Sequence, residues 1–365
     1  MNKENLHKII DRYLENIELV NNKEHEEIFK WEAVENFRKI WTDDSLSFEE
    51  KMPTALNKCS LLLNDGRTAQ GTGLIKVLEK DPAEVQRLFE DVLFANDNGD
   101  IRQRENQIDT FLVGIDKVLQ KYFPQSWKYK QDRKSAITYL TLHSPDDNFL
   151  YKYSEVNEFA TVIEYGIEIG SGANFSLEKY YDFCKIIRDA LNEHQDLISK
   201  HQDLRGDGYY ADKNNNILVF DLMYCARTYN FYNNLQHISK TQSIKNYTLN
   251  ELRAKEEQIK KEKIENIDNQ IRQLEVQTDA FNGISLEGIK VTFKGFGIGE
   301  VIIQNGTKIK VKFEKVEKTF VLNRQYSMRP SFDDDTEIVE IFSEYDDLME
   351  KIKKLEREKL EIISG

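Results

Sequence analysis

The sequence contains few of the residues that build disulfide frameworks, zinc sites or rigid loops. Its 365 residues include three cysteines, five prolines and three tryptophans. Cys59, Cys184 and Cys225 lie far apart, with no CxxC and no Cys/His pairing at metal-ligand spacing. This pattern argues against both a disulfide framework and a zinc site. We expect three buried thiols.

Long apolar runs are also missing. No stretch approaches the roughly 20 uncharged apolar residues that a membrane-spanning helix requires. The first residues, MNKENLHKIIDRYLENIEL, indicate a charged amphipathic helix and not a signal peptide. The sequence therefore predicts a cytoplasmic protein with no membrane partner.

The motifs of common hydrolytic enzymes are absent as well. The sequence has no G-x-x-x-x-G-K-[ST] loop for nucleotide phosphates, no G-x-S-x-G elbow and no paired catalytic cysteine and histidine. A restriction-type nuclease needs an acid followed by Asp or Glu, any residue, and Lys to hold Mg²⁺. The acids Asp207, Asp212, Asp221, Glu164 and Glu168 lack that lysine, and turn or cap roles suit Asp207 and Asp212 better. We predict a protein that is not an enzyme and needs no cofactor, with a metal-dependent nuclease as the minor alternative.

Charge is abundant but predominantly negative. Charged residues make up 32% of the chain, and the formal net charge is −13. A sequence-independent grip on nucleic acid by the whole surface is therefore excluded, because the phosphate backbone would be repelled. Any nucleic-acid contact must be a local basic patch on an acidic protein.

The first two thirds of the chain predict a helix-rich α+β body over residues 1–245. Apolar residues recur at helical spacing as far as Tyr122, for example Val34, Phe37 and Ile40. After Tyr122 come the compact segments AITYLTLHS, FLYKYSEVNEFA and ILVFDLMYCA. Each of these segments fits either a strand or a buried helix.

Two heptad patterns follow the body. Residues 246–282 and 343–365 each carry a narrow apolar stripe amid Lys and Glu, which is typical of coiled-coil helices. The stripes consist of Ile264, Ile267, Ile271 and Leu274, and of Tyr345, Leu348, Ile352 and Leu355. Because a compact segment separates them, we expect an antiparallel helical hairpin. The alternative is a pair of intermolecular coils in a homodimer.

The segment between the two stripes predicts a small β-barrel over residues 283–342. In FKGFGIGEVIIQNGTKIKVKF, a strand follows the glycines, whereas a dinucleotide fingerprint requires a helix there. Asn305-Gly306 between alternating runs indicates a hairpin, and KTFVL and EIVEI supply two further strands. The segment resembles the Tudor-like, SH3-fold modules of bacterial helicases. That resemblance implies docking on nucleic acid or on a protein partner.

Two basic patches are candidate nucleic-acid-binding sites, since cations bind phosphates and aromatic rings stack on bases. The first lies in SWKYKQDRK and continues at a lysine between two tyrosines; the second lies on one face of a barrel strand. Their residues are Trp127, Lys128, Tyr129, Lys130, Arg133, Lys134 and Lys152, and Lys308, Lys310 and Lys312. The alternative is that the lysines are ordinary solvated residues and the rings belong to the core.

Residues 28–226 resemble the N-terminal, non-ATPase region of McrB-like AAA+ proteins from bacterial restriction and defence loci. The resemblance rests on Lys30–Trp31–Glu32–Ala33, on Tyr151–Lys152–Tyr153, and on Tyr210, Asp212 and Asp221. In that family this region recognises target DNA, while the motor and the nuclease are located elsewhere. The phosphate-binding loop of the relatives is missing here.

These observations lead to one main hypothesis and one alternative. We expect a non-catalytic DNA-recognition or sensor component of an anti-phage, restriction-type defence system that acts with a separate ATPase or nuclease subunit. The alternative is a protein-interaction adaptor that binds a phage or host protein without nucleic acid.

Overall fold

The computed structural model is mostly helical and contains one small antiparallel sheet. It describes residues 1–63, 68–279, 281, 283–305, 308–321, 331–332 and 336–364. The chain forms two compact units, Met1–Leu249, called the body, and Asn250–Gly365, called the C-terminal unit. The α-helices of the described residues are α1 (Lys3–Val20), α2 (Phe29–Trp41), α3 (Phe48–Leu56), α4 (Gln70–Leu78), α5 (Pro82–Arg87), α6 (Ile101–Tyr122), α7 (Arg133–His143), α8 (Tyr153–Val162), α9 (Leu177–Asn192), α10 (Gln195–Leu204), α11 (Asn216–Thr228), α12 (Lys240–Asp279) and α13 (Thr336–Ser364).

Local sequence signals set the ends and the buried faces of the first helices. The Asn2 side chain caps α1 by accepting a hydrogen bond from the backbone N–H of Asn5 at 3.0 Å. Helix α1 then buries one apolar stripe, which includes Ile9, Tyr13 and Ile17. The body therefore begins with a helix whose sequence period matches its packing.

The three compact segments of the body whose sequence fitted either a strand or a helix contribute to helices. AITYLTLHS lies in α7 as far as His143, and ILVFDLMYCA lies in α11; of FLYKYSEVNEFA, the part from Tyr153 onward lies in α8, whereas its first four residues form neither a helix nor a strand. In α11 every residue from Asn216 to Met223 is buried, so the helix is enclosed on all sides. A helix enclosed in this way carries no amphipathic period. The strand interpretation is therefore wrong there, and among the described residues the β structure lies in the C-terminal unit.

The body has one contiguous apolar core that also contains the three thiols. Cys59, Cys184 and Cys225 are fully buried and unbonded to one another, which confirms the expectation of buried thiols. Burial raises the pKa of the Cys184 and Cys225 thiols above the ordinary value. These cysteines behave as small apolar residues of the core.

The described residues of the C-terminal unit include five strands in one antiparallel sheet. They are β1 (Lys290–Phe293), β2 (Gly297–Asn305), β3 (Lys308–Phe313), β4 (Glu317–Val321) and β5 (Ser331–Phe332). The order β4-β3-β2-β1-β5 leaves β4 and β5 at opposite edges among the described residues. Val291, Val301, Ile309 and Val311 form the centre of a separate small core.

The segment EIVEI, expected to be a strand, belongs to α13 instead. Helix α13 begins at Thr336, and β5 is the short segment Ser331–Phe332 paired with β1. The sequence explains the error, because Ile338, Ile341 and Tyr345 continue the three-four apolar spacing back from the heptad stripe. Helix α12 likewise begins earlier than expected, at Lys240. Gly306 of the expected Asn-Gly turn lies outside the described residues.

Within the C-terminal unit, α13 contacts α12 and the turn residue Phe281 that follows it. The Nζ atom of Lys359 lies 2.5 Å from Oδ1 of Asp268. The rings of Phe281 and Tyr345 meet edge to face, with centroids 5.5 Å apart. The residue numbers rise along one helix as they fall along the other, so the two segments run in opposite directions at these contacts.

We expect Gly299→Ala to loosen the sheet. A Cβ atom at Gly299 would lie 2.6 Å from Cδ1 of Phe313 and 2.7 Å from Cγ1 of Val311, so the small core would have to shift. Such overpacking costs about 1–3 kcal/mol. Amide hydrogen exchange across β2 and β3, followed by mass spectrometry, should accelerate accordingly.

The matched control is Gly283→Ala, at a position where an added Cβ atom meets open space. Its exchange pattern should equal that of the unsubstituted protein. Equal protection of the β2 and β3 amides from hydrogen exchange in Gly299→Ala and Gly283→Ala would contradict the close packing of β2 on β3.

Candidate nucleic-acid interface

The first basic patch is built where a short 3-10 turn, Trp127–Tyr129, leads into α7. Buried Gln131 fixes this junction, because its Nε2 donates to the backbone oxygens of Gln70 and Tyr129, each at 2.9 Å. The side chains of Asp132 and Ser135 then cap α7 reciprocally. The backbone that carries the basic residues is therefore held from both sides.

A groove of about 990 Å³ opens beside this junction. Five cations, three aromatic residues and two exposed or half-buried aliphatic residues contribute to its lining, together with the carboxylates of Asp116 and Asp132. We use the name groove for the cavity lined by Leu112, Val113, Lys117, Lys130, Arg133, Lys134, Tyr151, Lys152, Tyr153 and Phe175. Its volume lies at the upper end of the range for ligand sites.

The groove brings together four of the predicted nucleic-acid-binding residues. Lys130, Arg133 and Lys134 come from the junction and the start of α7, and Lys152 precedes α8. Although Lys152 is distant in sequence, it lines the same cavity. The first patch is thus a joint surface of two chain segments.

The remaining residues of the first patch lie outside the lining of the groove. Trp127 is 72% exposed, and the Nζ atom of Lys128 lies 5.7 Å from the centroid of its ring. Tyr129 packs against Gly73 and meets the ring of Phe123 edge to face at 5.8 Å. Tyr129 is therefore a packing residue, whereas Trp127 offers an open ring beside the groove.

Carboxylates partly neutralise the cations of the groove. Arg133 contacts Asp109 at 2.7 Å, and Lys152 contacts Glu155 at 2.5 Å. Lys130 lies 3.6 Å from the carboxylate of Asp116, and its side chain is 62% exposed. An anionic ligand must compete with these carboxylates, so its binding should weaken steeply with salt.

The second predicted patch lies on β3 in the C-terminal unit. Lys310 forms an ion pair with Glu317 at 2.6 Å. Lys312 stands opposite Glu300 on β2 and opposite Glu317 on β4. Lys308 is exposed at the start of the strand. The face therefore carries both signs of charge and is not a purely basic stripe.

Deep in the body, a charged cluster surrounds Lys30. Its Nζ atom lies 2.7 Å from Oδ1 of Asp221 and 2.5 Å from Oε2 of Glu27. The Tyr13 hydroxyl donates to Oδ2 of Asp221 at 2.5 Å, and the Tyr229 hydroxyl donates to Oε1 of Glu27 at 2.8 Å. Burial by itself lowers the pKa of Lys30, but the carboxylates outweigh it and the pKa rises above its ordinary value.

Asp212 sits in the core beside that cluster. Its carboxylate accepts hydrogen bonds from Nε1 of Trp31 at 3.0 Å and from the backbone N–H groups of Ile217 and Leu218. The cap role expected for Asp212 is confirmed, because these amides open α11. Burial raises its pKa despite the hydrogen bonds. Lys30 and Trp31 of one sequence motif thus pair with Asp221 and Asp212 of another.

His201 stacks between two aromatic residues of the same region and is fully buried. Its ring centroid lies 4.4 Å from that of Trp31 and 6.4 Å from that of Tyr13. Within the described part of the chain, neither ring nitrogen has a hydrogen-bond partner. Burial lowers the pKa of His201 to about 4, although the Asp221 carboxylate opposes the shift. The imidazole is therefore neutral at physiological pH.

Two of the remaining acids considered for a nuclease, Glu164 and Glu168, hold the body together, whereas Asp207 is exposed in a turn. Glu164 accepts a hydrogen bond from the backbone N–H of Ile238 at 3.2 Å, and Glu168 pairs with Lys240 at 2.8 Å. Across the described part of the chain, no three His, Cys, Asp or Glu side chains are arranged to hold a metal ion.

Sequence reasoning missed several residues of the groove. Lys117, Leu112 and Val113 lie on α6, far in sequence from the basic segment. Lys117 resembles any surface lysine of an amphipathic helix. The available sign of a surface site on α6 was Val113, an apolar residue outside the helix's buried stripe. The structure shows that this side chain is 57% exposed.

Comparison with known proteins yields no relatives for this chain: no protein-family model, no curated protein and no solved structure matches it. Among the described residues, no helix is long and apolar enough to cross a lipid bilayer.

Proposed function

We propose that the chain is a non-catalytic recognition component that binds single-stranded DNA in the groove and acts with a separate partner enzyme. The observation that carries the proposal is the groove itself, where five cations line one cavity of about 990 Å³ and Tyr153 presents a ring that is 48% exposed, beside the buried rings of Tyr151 and Phe175. Cations follow a phosphate backbone, and each stacked base contributes about 1–3 kcal/mol. A duplex hides its bases, so this combination favours a single strand.

The partner enzyme and the defence role come from the McrB-like resemblance. In that family, target recognition and nucleotide hydrolysis belong to different parts of the assembly. The present sequence has the segments that carry the resemblance and no phosphate-cradling loop. We therefore assign hydrolysis or cleavage to a separate ATPase or nuclease subunit of an anti-phage system.

We propose that the C-terminal unit recruits this partner. The contacts of Lys359 with Asp268 and of Phe281 with Tyr345 favour an antiparallel coiled-coil hairpin within one chain over a homodimer. The sheet is proposed to be an SH3-like barrel of the Tudor-like type. Exposed Ile298, 67% accessible on β2, suits a protein contact more than a phosphate contact.

A second candidate function is a protein-interaction adaptor without nucleic acid. The net charge of −13 and the mixed charges around Lys310 favour it. In that case the groove would hold a peptide, for which its aliphatic residues Leu112 and Val113 are suited.

The salt dependence of DNA binding tests the main proposal. Fluorescence anisotropy with a labelled strand of about 20 nucleotides covers the roughly 4–16 nucleotides that one such surface contacts. The logarithm of the association constant should fall linearly with the logarithm of the salt concentration. Lys117→Gln and Lys130→Gln should each reduce that slope by about 0.7.

Lys39→Gln is the matched control, because Lys39 is exposed on α2 and lies outside the groove lining. Its slope should equal that of the unsubstituted protein. Absence of binding to single-stranded and duplex DNA at low salt would refute the main proposal and favour the adaptor.

A further inference from the structure

A second cavity shares wall residues with the groove. This inner pocket has a volume of about 220 Å³, and Lys134, Tyr151 and Lys152 line both cavities. An apolar cavity of about 150 Å³ is large enough to hold benzene. The inner pocket is therefore large enough for one substituted planar ring.

The walls of the inner pocket suit such a ring. Phe29, Leu150, Phe220 and Tyr224 supply apolar and aromatic surface. Leu61 also lines the pocket and is 70% exposed, so it marks the side open to solvent. Apolar walls and an open side describe a site that a ring can enter from the surface.

A buried ion pair forms one wall of the inner pocket. Lys30 and Glu27 line it and are almost fully buried. The Lys30 ammonium is already engaged by Glu27 and Asp221, at 2.5 and 2.7 Å. Because this ion-paired wall belongs to the core, a chain that enters the pocket has no exit on that side.

Two cations lie at the border between the groove and the inner pocket. Lys134 and Lys152 border both of them, and the Lys152 side chain is 35% exposed although it contacts Glu155. A phosphate monoester carries about −1.5 to −2 charges at pH 7, whereas an internal phosphodiester carries one. Two ammonium groups at the junction therefore favour a terminal phosphate over an internal one.

We infer that the inner pocket binds a nucleoside monophosphate unit, and that this unit is the phosphorylated end of the strand lying in the groove. The terminal base occupies the aromatic pocket, and its phosphate lies at Lys134 and Lys152. This inference rests on the proposed function, because the groove must first bind a strand.

End-labelled and circular strands test the inference in the full-length protein. The probes are one oligothymidylate in four forms, namely 5′-phosphorylated, 3′-phosphorylated, unphosphorylated and circular, with thymidine 5′-monophosphate as the free nucleotide. We expect one phosphorylated form to bind about tenfold more tightly than the unphosphorylated and circular forms, equivalent to about 1.4 kcal/mol.

Substitutions at two exposed positions distinguish binding in the inner pocket from binding in the groove. Leu61→Glu places a negative charge at the open side of the pocket and should abolish the tenfold preference, whereas Leu61→Gln should retain it. Val113→Glu places the same charge in the groove and should weaken binding of all four strands. Both positions are exposed, so neither substitution disturbs a buried contact.

The outcomes distinguish the two proposals. Equal affinity for circular and phosphorylated linear strands would overturn the strand-end inference and leave the groove as the binding site. Free thymidine 5′-monophosphate binding as tightly as the phosphorylated strand would also overturn it, because the ligand would then be a free nucleotide. Failure of every strand to bind would instead overturn the proposed function.

Discussion

Lys30→Met should lower the free energy of unfolding of the body by about 3–5 kcal/mol. The substitution keeps an unbranched side chain but leaves the carboxylates of Asp221 and Glu27 buried without their common counter-ion. Removing one partner of a buried pair costs far more than the pair contributes, since the remaining charge stays desolvated. Urea unfolding followed by tryptophan fluorescence measures this, because all three tryptophans lie in the body.

Lys58→Met is the matched control. Lys58 contacts Glu32 at 2.5 Å, but both side chains are more than 40% exposed. An exposed pair contributes about 0–1 kcal/mol, so this variant should remain close to the unsubstituted protein. In Lys30→Met/Asp221→Asn, removal of one orphaned carboxylate should recover part of the loss, and a double-mutant cycle gives the coupling. Similar losses in Lys30→Met and Lys58→Met would contradict the importance of burial.

The second large effect is a fall in stability below neutral pH caused by His201. Its pKa is about 4 in the folded protein and about 6.5 in an unfolded chain. Between these values the unfolded state binds the extra proton, so the free energy of unfolding falls as the pH decreases. The full contribution is present above pH 6.5 and is lost progressively towards pH 4. The total loss approaches about 3 kcal/mol.

His201→Phe should remove this part of the pH dependence. A phenylalanine ring keeps the stacking on Trp31 and Tyr13, and it cannot take up a proton. The difference in unfolding free energy between the variant and the unsubstituted protein should therefore be nearly constant above about pH 6.5 and change progressively from pH 6.5 to pH 5. His237→Phe, at an exposed histidine of the body, should leave the slope unchanged. A slope that persists in His201→Phe would assign the acid sensitivity to other groups.

The sequence grouped most readily those cations of the groove that are contiguous in the chain. Lys130, Arg133 and Lys134 are neighbours in sequence and remain neighbours in the groove, so a composition argument was sufficient. Lys117 could not be found in this way, because tertiary packing alone brings α6 to the groove. Tyr129 was placed among the stacking residues although Gly73 leaves room for its packing. Composition does not distinguish an open ring from a buried one.

Buried segments limited the prediction of secondary structure for a different reason. Helix α11 is buried on every side from Asn216 to Met223, so its apolar residues are not confined to one face and its helical period is not visible in the sequence. EIVEI has strong strand propensity, yet the spacing from Ile338 to Tyr345 continues a heptad pattern, and the helix prevails. In both cases the decisive information lies outside the segment, in its tertiary surroundings or in the longer periodic pattern.

The pairing of Lys30 with Asp221 and of Trp31 with Asp212 gives a physical account of the segments that suggested the McrB-like resemblance. Each motif supplies one partner of two buried polar contacts. Sequence inspection identified both motifs but could not show that they meet. For these four residues, packing and pairing in the core are sufficient to explain the match.

The three buried cysteines provide native probes of local opening of the body. Cys59 follows α3, Cys184 lies in α9, and Cys225 lies in α11 four residues after Asp221. A disulfide reagent can modify each sulfur only when the structure around that cysteine opens and exposes it to solvent. The order in which these three cysteines become labelled therefore ranks the opening free energies of three regions, without any engineered probe.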